Sequence, residues 1–187
     1  MDGRDKPGHD SSGERPAESG VSPMTTNTFT GGCQCGAVRF AAAKLGRPSI
    51  CHCRMCQKAF GSFFGPFVTA HGLTWTRSAP KYFQSSNNAK RGFCADCGTP
   101  LTYGVEGGSD ELAIGAFDRP AEIVPAIQLS LETRMPWLDT LTTLPTRSQE
   151  EEAKVADFYA NVVSYQHPDH DTQSWTPGAG AHGREGK

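Results

Sequence analysis

Between residues 28 and 129 the apolar residues come in short bursts, not in the long periodic runs of helices. Residues 37–41, 49–52, 63–69, 73–76, 81–85, 90–94, 101–105 and 111–116 each read as a strand, several only four or five residues long. Breakers separate them: Gly46-Arg47-Pro48, His71-Gly72, Ala79-Pro80, Asn87-Asn88 and Gly107-Gly108. Short strands with frequent turns predict a mainly β domain. One helix is predicted over 149–165. Ser148 and Glu151 form a capping box, and Glu150, Glu151 and Glu152 suit the positive end of the helix dipole. Val155, Phe158, Tyr159 and Val162 recur at i, i+3, i+4 and i+7. That stripe is expected to pack on the sheets.

The two ends carry no such pattern. Hydrophobic residues make up 36% of the 187, low for a packed domain, and the polar ends explain much of it. Residues 1–25 and 166–187 are expected to lack packed structure, since they bury too little apolar surface to offset the entropy of ordering. The folded unit is expected over 26–165. Met24 stands where the polar leader stops, and translation is expected to begin there. No apolar signal segment opens the chain, and no stretch approaches the ~20 apolar residues of a membrane span, so a cytoplasmic location is expected. Net charge is −2, and Lys and Arg form no runs. Nucleic acid is therefore not expected as the main partner.

The seven cysteines carry the chemistry. They fall as Cys33-x-Cys35, Cys51-x-Cys53-x-x-Cys56 and Cys94-x-x-Cys97. Reduced thiols in close-set pairs point to metal, and four thiolates close a tetrahedral zinc while three leave a position free. Cys33, Cys35, Cys94 and Cys97 are expected to share a structural zinc, with Gly36 and Gly98 shaping the turns. The alternative is redox pairs or disulfides. Cys51, Cys53 and Cys56 come from one short stretch, expected to wrap a second ion as a strand turns into a short helix over 53–60. A thiol arriving at the open position of that ion would lose its proton and become a placed nucleophile. Alternatively, His52, His71 or a distant Asp closes the site and leaves it inert. His52 alternates with Cys51 and Cys53, so it is expected to face away, at the surface or behind the ligands.

These residues resemble a known family. Gly32 to Phe40, Cys51 to Lys58 and Arg91 to Leu101 look like the motifs of the glutathione-dependent formaldehyde-activating (Gfa) family, which includes centromere protein V. Phe117 to Pro120 and Pro136-Trp137 resemble its C-terminal part. The resemblance implies a β-tent of small antiparallel sheets clasped by zinc. It implies structural ligands at Cys33, Cys35, Cys94 and Cys97, and catalytic ones at Cys51, Cys53 and Cys56. It also implies a carbon–sulfur lyase that joins glutathione and formaldehyde as S-hydroxymethylglutathione. The family often has His in the strand after Pro125, where this chain has Gln128. Glutathione brings two carboxylates, for which Arg54 and Lys58 are the first candidates and Arg91 and Arg134 the next. Phe63, Phe64, Phe67 and Trp137 are candidates for the pocket wall. The competing reading is a zinc-stabilised binding module without catalysis, which a fourth protein ligand at the three-cysteine site would mark.

Overall fold

The short strands assemble into two sheets, seen in a computed structural model that describes residues 28–176. In chain order the elements are β1 (Phe29–Gly32), β2 (Arg39–Ala42), β3 (Lys44–Leu45), β4 (Ser49–Cys51), α1 (Arg54–Phe60), β5 (Gly65–His71), β6 (Thr74–Trp75), β7 (Lys81–Gln84), β8 (Ala89–Phe93), β9 (Pro100–Val105), β10 (Glu111–Ala113), β11 (Ile127–Leu129) and α2 (Gln149–Ala160). Strands β1, β2 and β6 form the small sheet. The larger runs β11-β4-β5-β10-β9-β8-β7, with β3 added beside β5. Every strand pair is antiparallel except β11 on β4. The fold is mainly β, as the pattern of short strands predicts.

The core lies where the two sheets meet. Phe40 of β2 is fully buried, its ring edge-on to Phe117 at 5.0 Å and to Trp75 at 6.0 Å. Val68, Leu101 and Leu112, from the adjoining strands β5, β9 and β10, join the same cluster. Three strands escape the sequence pattern. β1 contains Gly31-Gly32, β3 has two residues and β11 three, all too short for an alternation to register. Residues 114–116 turn into a 3-10 helix instead of extending β10.

Two expectations are corrected. Helix α2 has its capping box but ends at Ala160, and its stripe does not pack on the sheets: Phe158 is 69% exposed, and Tyr159 and Val162 are also exposed. The strands already close the core without it. The helix is instead supported locally by Lys154–Glu150 at 2.7 Å and by Arg147 over the Tyr159 ring. The second correction concerns residues 166–176, expected to lack packed structure. They lie against the first cysteine turn, where His167 N–H donates to Gln34 O at 2.7 Å and the Trp175 indole donates to Cys35 O at 3.0 Å. Their contacts run through polar groups and one aromatic ring, which a search for apolar runs does not detect. Residues 1–27, including Met24, and 177–187 lie outside the described residues. Among the described residues no helix is long and apolar enough to cross a membrane.

A buried ion pair ties these parts together. The Arg39 guanidinium donates to both Asp118 oxygens at 2.7 and 2.6 Å and also reaches Asp171. Thr30 Oγ1–H donates to Asp118 Oδ2 at 2.6 Å. Burial opposes ionisation of Asp118, but Arg39 and Thr30 outweigh it and hold the carboxyl below its usual range. The carboxylate therefore stabilises the fold above the ordinary Asp value of about 3.9, and that contribution is lost as pH falls through the lower folded value. Asp118→Asn should cost about 1.5–3 kcal/mol near neutrality, because it takes the buried carboxylate from Arg39 and leaves the guanidinium only the half-exposed Asp171 as an anionic partner. It should also flatten the acid limb of the stability curve. Urea titrations of both proteins from neutral pH down to pH ~2 test this; curves that stay parallel would contradict it.

Candidate metal centres

Two tight turns bring four thiols to one point. After β1, Cys33 N–H donates to Val38 O at 2.9 Å and Gly36 N–H to Cys33 O at 3.0 Å. After β8, Cys94 N–H donates to Thr99 O and Gly98 N–H to Cys94 O, each at 2.9 Å. Gly36 and Gly98 have φ of 79° and 76°, the left-handed region in which a side chain is strained. Residues 59 apart thus converge: Cys35 and Cys94 sulfurs are 3.8 Å apart, and Cys33 and Cys35 sulfurs 3.5 Å. All four lie within 4.8 Å of one another. A tetrahedral ion with Zn–S of about 2.3 Å sets its sulfurs about 3.8 Å apart, so the spacing fits one ion. It does not fit a disulfide, whose sulfurs are about 2.05 Å apart, and all seven cysteines are free thiols. Burial pushes the Cys94 thiol up to about 11 and Cys35 higher still. At Cys97 burial is outweighed by the hydroxyl and amide of Thr99, which bring the thiol down to about 7. A cation binding all four as thiolates must therefore displace protons, above all from Cys35 and Cys94.

The second centre forms where β4 becomes α1. Cys51 ends β4 between Gly65 of β5 and Leu129 of β11. Cys53 is the N-cap of α1, its sulfur accepting from Cys56 N–H at 3.4 Å. At Cys53 burial is outweighed by the amides of Cys56 and Met55 and by hydrogen bonds from the Cys56 and Cys51 thiols, and its thiol is lowered. Cys56, one turn on, points the same way and is buried. The three sulfurs lie within 4.8 Å of one another, and among the described residues no fourth His, Cys, Asp or Glu completes the group.

The other singled-out residues divide. His52 faces away from the sulfurs but is buried, not at the surface; its Nε2–H donates to Gln128 Oε1 at 2.9 Å. His71 lies at the far end of β5, six residues from Gly65, hence about 20 Å along the strand from Cys51's partner. Arg54 is exposed and donates to Gln57 Oε1, and Arg134 pairs with Asp139. Lys58 is exposed at a mostly apolar cavity of about 340 Å³ that Phe60, Phe83 and Phe93 help to line. Phe67 is core, packed on Phe60 and Tyr103. Phe64 lies edge-on to His52, and Phe63 and Trp137 stack edge-on at 4.6 Å, both still exposed.

The structure adds residues that the sequence reading passed over or ranked low. Arg91 is buried and its Nη2–H donates to Cys56 Sγ at 3.3 Å. Burial pushes the Cys56 thiol up to about 12 against the pull of that guanidinium. Buried Gln57 donates from its amide to His52 O at 2.7 Å and Thr133 O at 3.0 Å, stitching α1 to the loop after β11. Ser130 in that loop has φ of 56°, and its Oγ lies 3.9 Å from Cys51 Sγ. The contacts of Arg91 with Cys56, Gln57 with Thr133 and Ser130 with Cys51 span 35, 76 and 79 residues and leave no signal in the spacing of a single chain.

The fold and site define a mainly β domain with one four-thiol and one three-thiol cluster, each spaced so that it could hold a metal ion. The model of the glutathione-dependent formaldehyde-activating enzyme family (GFA) matches residues 28–133, more than half of the chain, and the chain belongs to that family. The match stops before Pro136-Trp137. Among solved structures, the chain is similar to a protein of Rhodobacter sphaeroides at 20% identity and a TM-score of 0.43, over 53% of this chain and 98% of that one.

Proposed function

We propose that the three-thiol centre catalyses addition of a thiol to an aldehyde, in its simplest form glutathione to formaldehyde, and so acts as a carbon–sulfur lyase. Cys51, Cys53 and Cys56 are the ligands proposed for a catalytic zinc; Cys33, Cys35, Cys94 and Cys97 those for a structural one. The observation that carries this reading is the three-sulfur cluster without a fourth protein ligand among the described residues. A fourth ligand would instead favour a non-catalytic binding module. Zinc at such a site supplies Lewis acidity and favours the thiolate form of an arriving thiol.

The chain's own residues would do the rest. The helix cap at Cys53 and the β4 terminus at Cys51 bring the sulfurs together. Phe63 and Trp137, paired and exposed, are proposed to wall the entrance. Lys58 is proposed to meet a glutathione carboxylate, with Arg54 one turn before it as second choice. In the addition the glutathione sulfur bonds to the aldehyde carbon, the carbonyl π pair moves to oxygen, and the proton released by the thiol ends there. No oxidant is consumed. The test is the rate of S-hydroxymethylglutathione formation, read by exchange NMR, with and without zinc-loaded protein. Acceleration over the uncatalysed reaction is expected; an unchanged rate would remove this substrate pair.

A further inference from the structure

Arg91 is a buried cation without a carboxylate. Its Nε–H donates to Ser85 Oγ at 2.9 Å, its guanidinium carbon sits 4.9 Å from the centre of the Tyr103 ring, and its Nη2–H reaches Cys56 Sγ. Nη1 is buried with no partner. A buried guanidinium needs an anion close by, and no ion pair among the described residues includes Arg91. The anion in reach is the three-thiol cluster. Three thiolates around a divalent ion carry a net −1, which one guanidinium cancels, whereas four would carry −2.

We propose that Arg91 is the positioning residue of the three-thiol centre. It neutralises the site and, through the N–H···S bond, weakens donation from Cys56, so that the open centre favours an anionic sulfur ligand over neutral water. This rests on the reading of Cys51, Cys53 and Cys56 as metal ligands, but not on glutathione or formaldehyde as substrates. Cobalt titration of the full chain tests it, because cobalt–thiolate absorption reports each centre. In Arg91→Met, one equivalent should bind as in the wild type. The second should bind about 10–100-fold more weakly, with a shifted sulfur-to-cobalt band, and Arg91→Lys should restore part of both. Ser85→Ala, which only frees the guanidinium, should give a smaller shift of the same sign, and serves if Arg91→Met does not fold. Two equivalents with wild-type affinity and spectrum in Arg91→Met, or in Ser85→Ala where Arg91→Met does not fold, would overturn the proposal. Wild-type protein that binds one equivalent would overturn the underlying reading instead.

A second observation stands apart from the reaction. Residues 166–176 lie outside the span matched by the family, yet they close over the backbone of residues 34–36. Arg77 fastens them: Nη1–H donates to Gly36 O, Nη2–H donates to Thr172 O and Oγ1, and Trp175 lies 5.8 Å from its guanidinium. Asp171 reaches Arg39 from the same segment. A Cβ at Gly36 would lie 2.3 Å from the His167 ring, so the fit is close. We infer that this segment is a strap that slows exchange of the ion held by Cys33, Cys35, Cys94 and Cys97. In zinc-loaded protein, a chain ending at Tyr165 should release one of its zinc equivalents to a chromogenic chelator at least about tenfold faster than the full chain. A chain ending at Thr176 should match the full chain, and Trp175→Ala should fall between. Equal release from all of them, or equal acceleration in both shortened chains, would overturn the inference.

Discussion

Stripping metal from the four-thiol centre, or replacing Cys97 by Ser, should unfold the domain and not merely loosen it. The centre joins the turn after β1 to the turn after β8, so it is one of the points at which the small sheet is fastened to the large one. The strands are short and the core small. Structural zinc binding is worth roughly 10–16 kcal/mol in small peptides, which matches the whole stability of about 5–15 kcal/mol of an ordinary domain. The measurement is thermal melting by circular dichroism before and after a chelator. The cooperative transition should disappear in the stripped protein and return with added zinc. A transition at the same temperature in both would show that packing alone holds the sheets. The metal should be stripped more easily as pH falls. A bound thiol is held deprotonated, so its folded value lies below the ordinary thiol value of about 8.5. The stability it lends is present above that value and is lost as pH falls through the lower one. Chelator midpoints at two pH values check the sign.

Cys53→Ser should bring adduct formation down to the uncatalysed rate while the fold survives. Cys53 has two duties: its sulfur is one of three in the open centre, and it caps α1 by accepting from Cys56 N–H. Serine is a good N-cap, so the second duty is kept. It is a poor zinc ligand at neutral pH, so the first is lost. The variant should melt near the wild-type temperature and retain the one equivalent of metal at the four-thiol centre. Wild-type activity in folded Cys53→Ser would remove the three-thiol centre from the chemistry.

How much of this was legible depends on range. The short helix expected over residues 53–60, the Ser148–Glu151 capping box and the glycines after each cysteine pair are local, and spacing along the chain revealed them; the cap at Cys53 came from the structure. The stripe of α2 was legible as an amphipathic pattern, but periodicity says which face is apolar and not what receives it. The strands already filled the core, so Phe158 and Val162 stay exposed. Alternation left His52 either at the surface or behind the ligands; its burial against Gln128 required β11 to dock in parallel beside β4, and a three-residue strand carries too little pattern to announce that.

The sequence by itself determined the class of the protein: short strands, two cysteine pairs for one centre, a run of three for another, and the order of motifs shared with the family. Residue type and short spacing suffice there, because a metal centre is defined by its donors and each turn that presents them is local. Only the tertiary structure decided that Arg91 donates to Cys56 and that residues 166–176 lie against the first cysteine turn. Both are contacts of polar groups across 35 residues or more. Such contacts depend on where burial places a charge or a carbonyl, which no periodicity along the chain encodes.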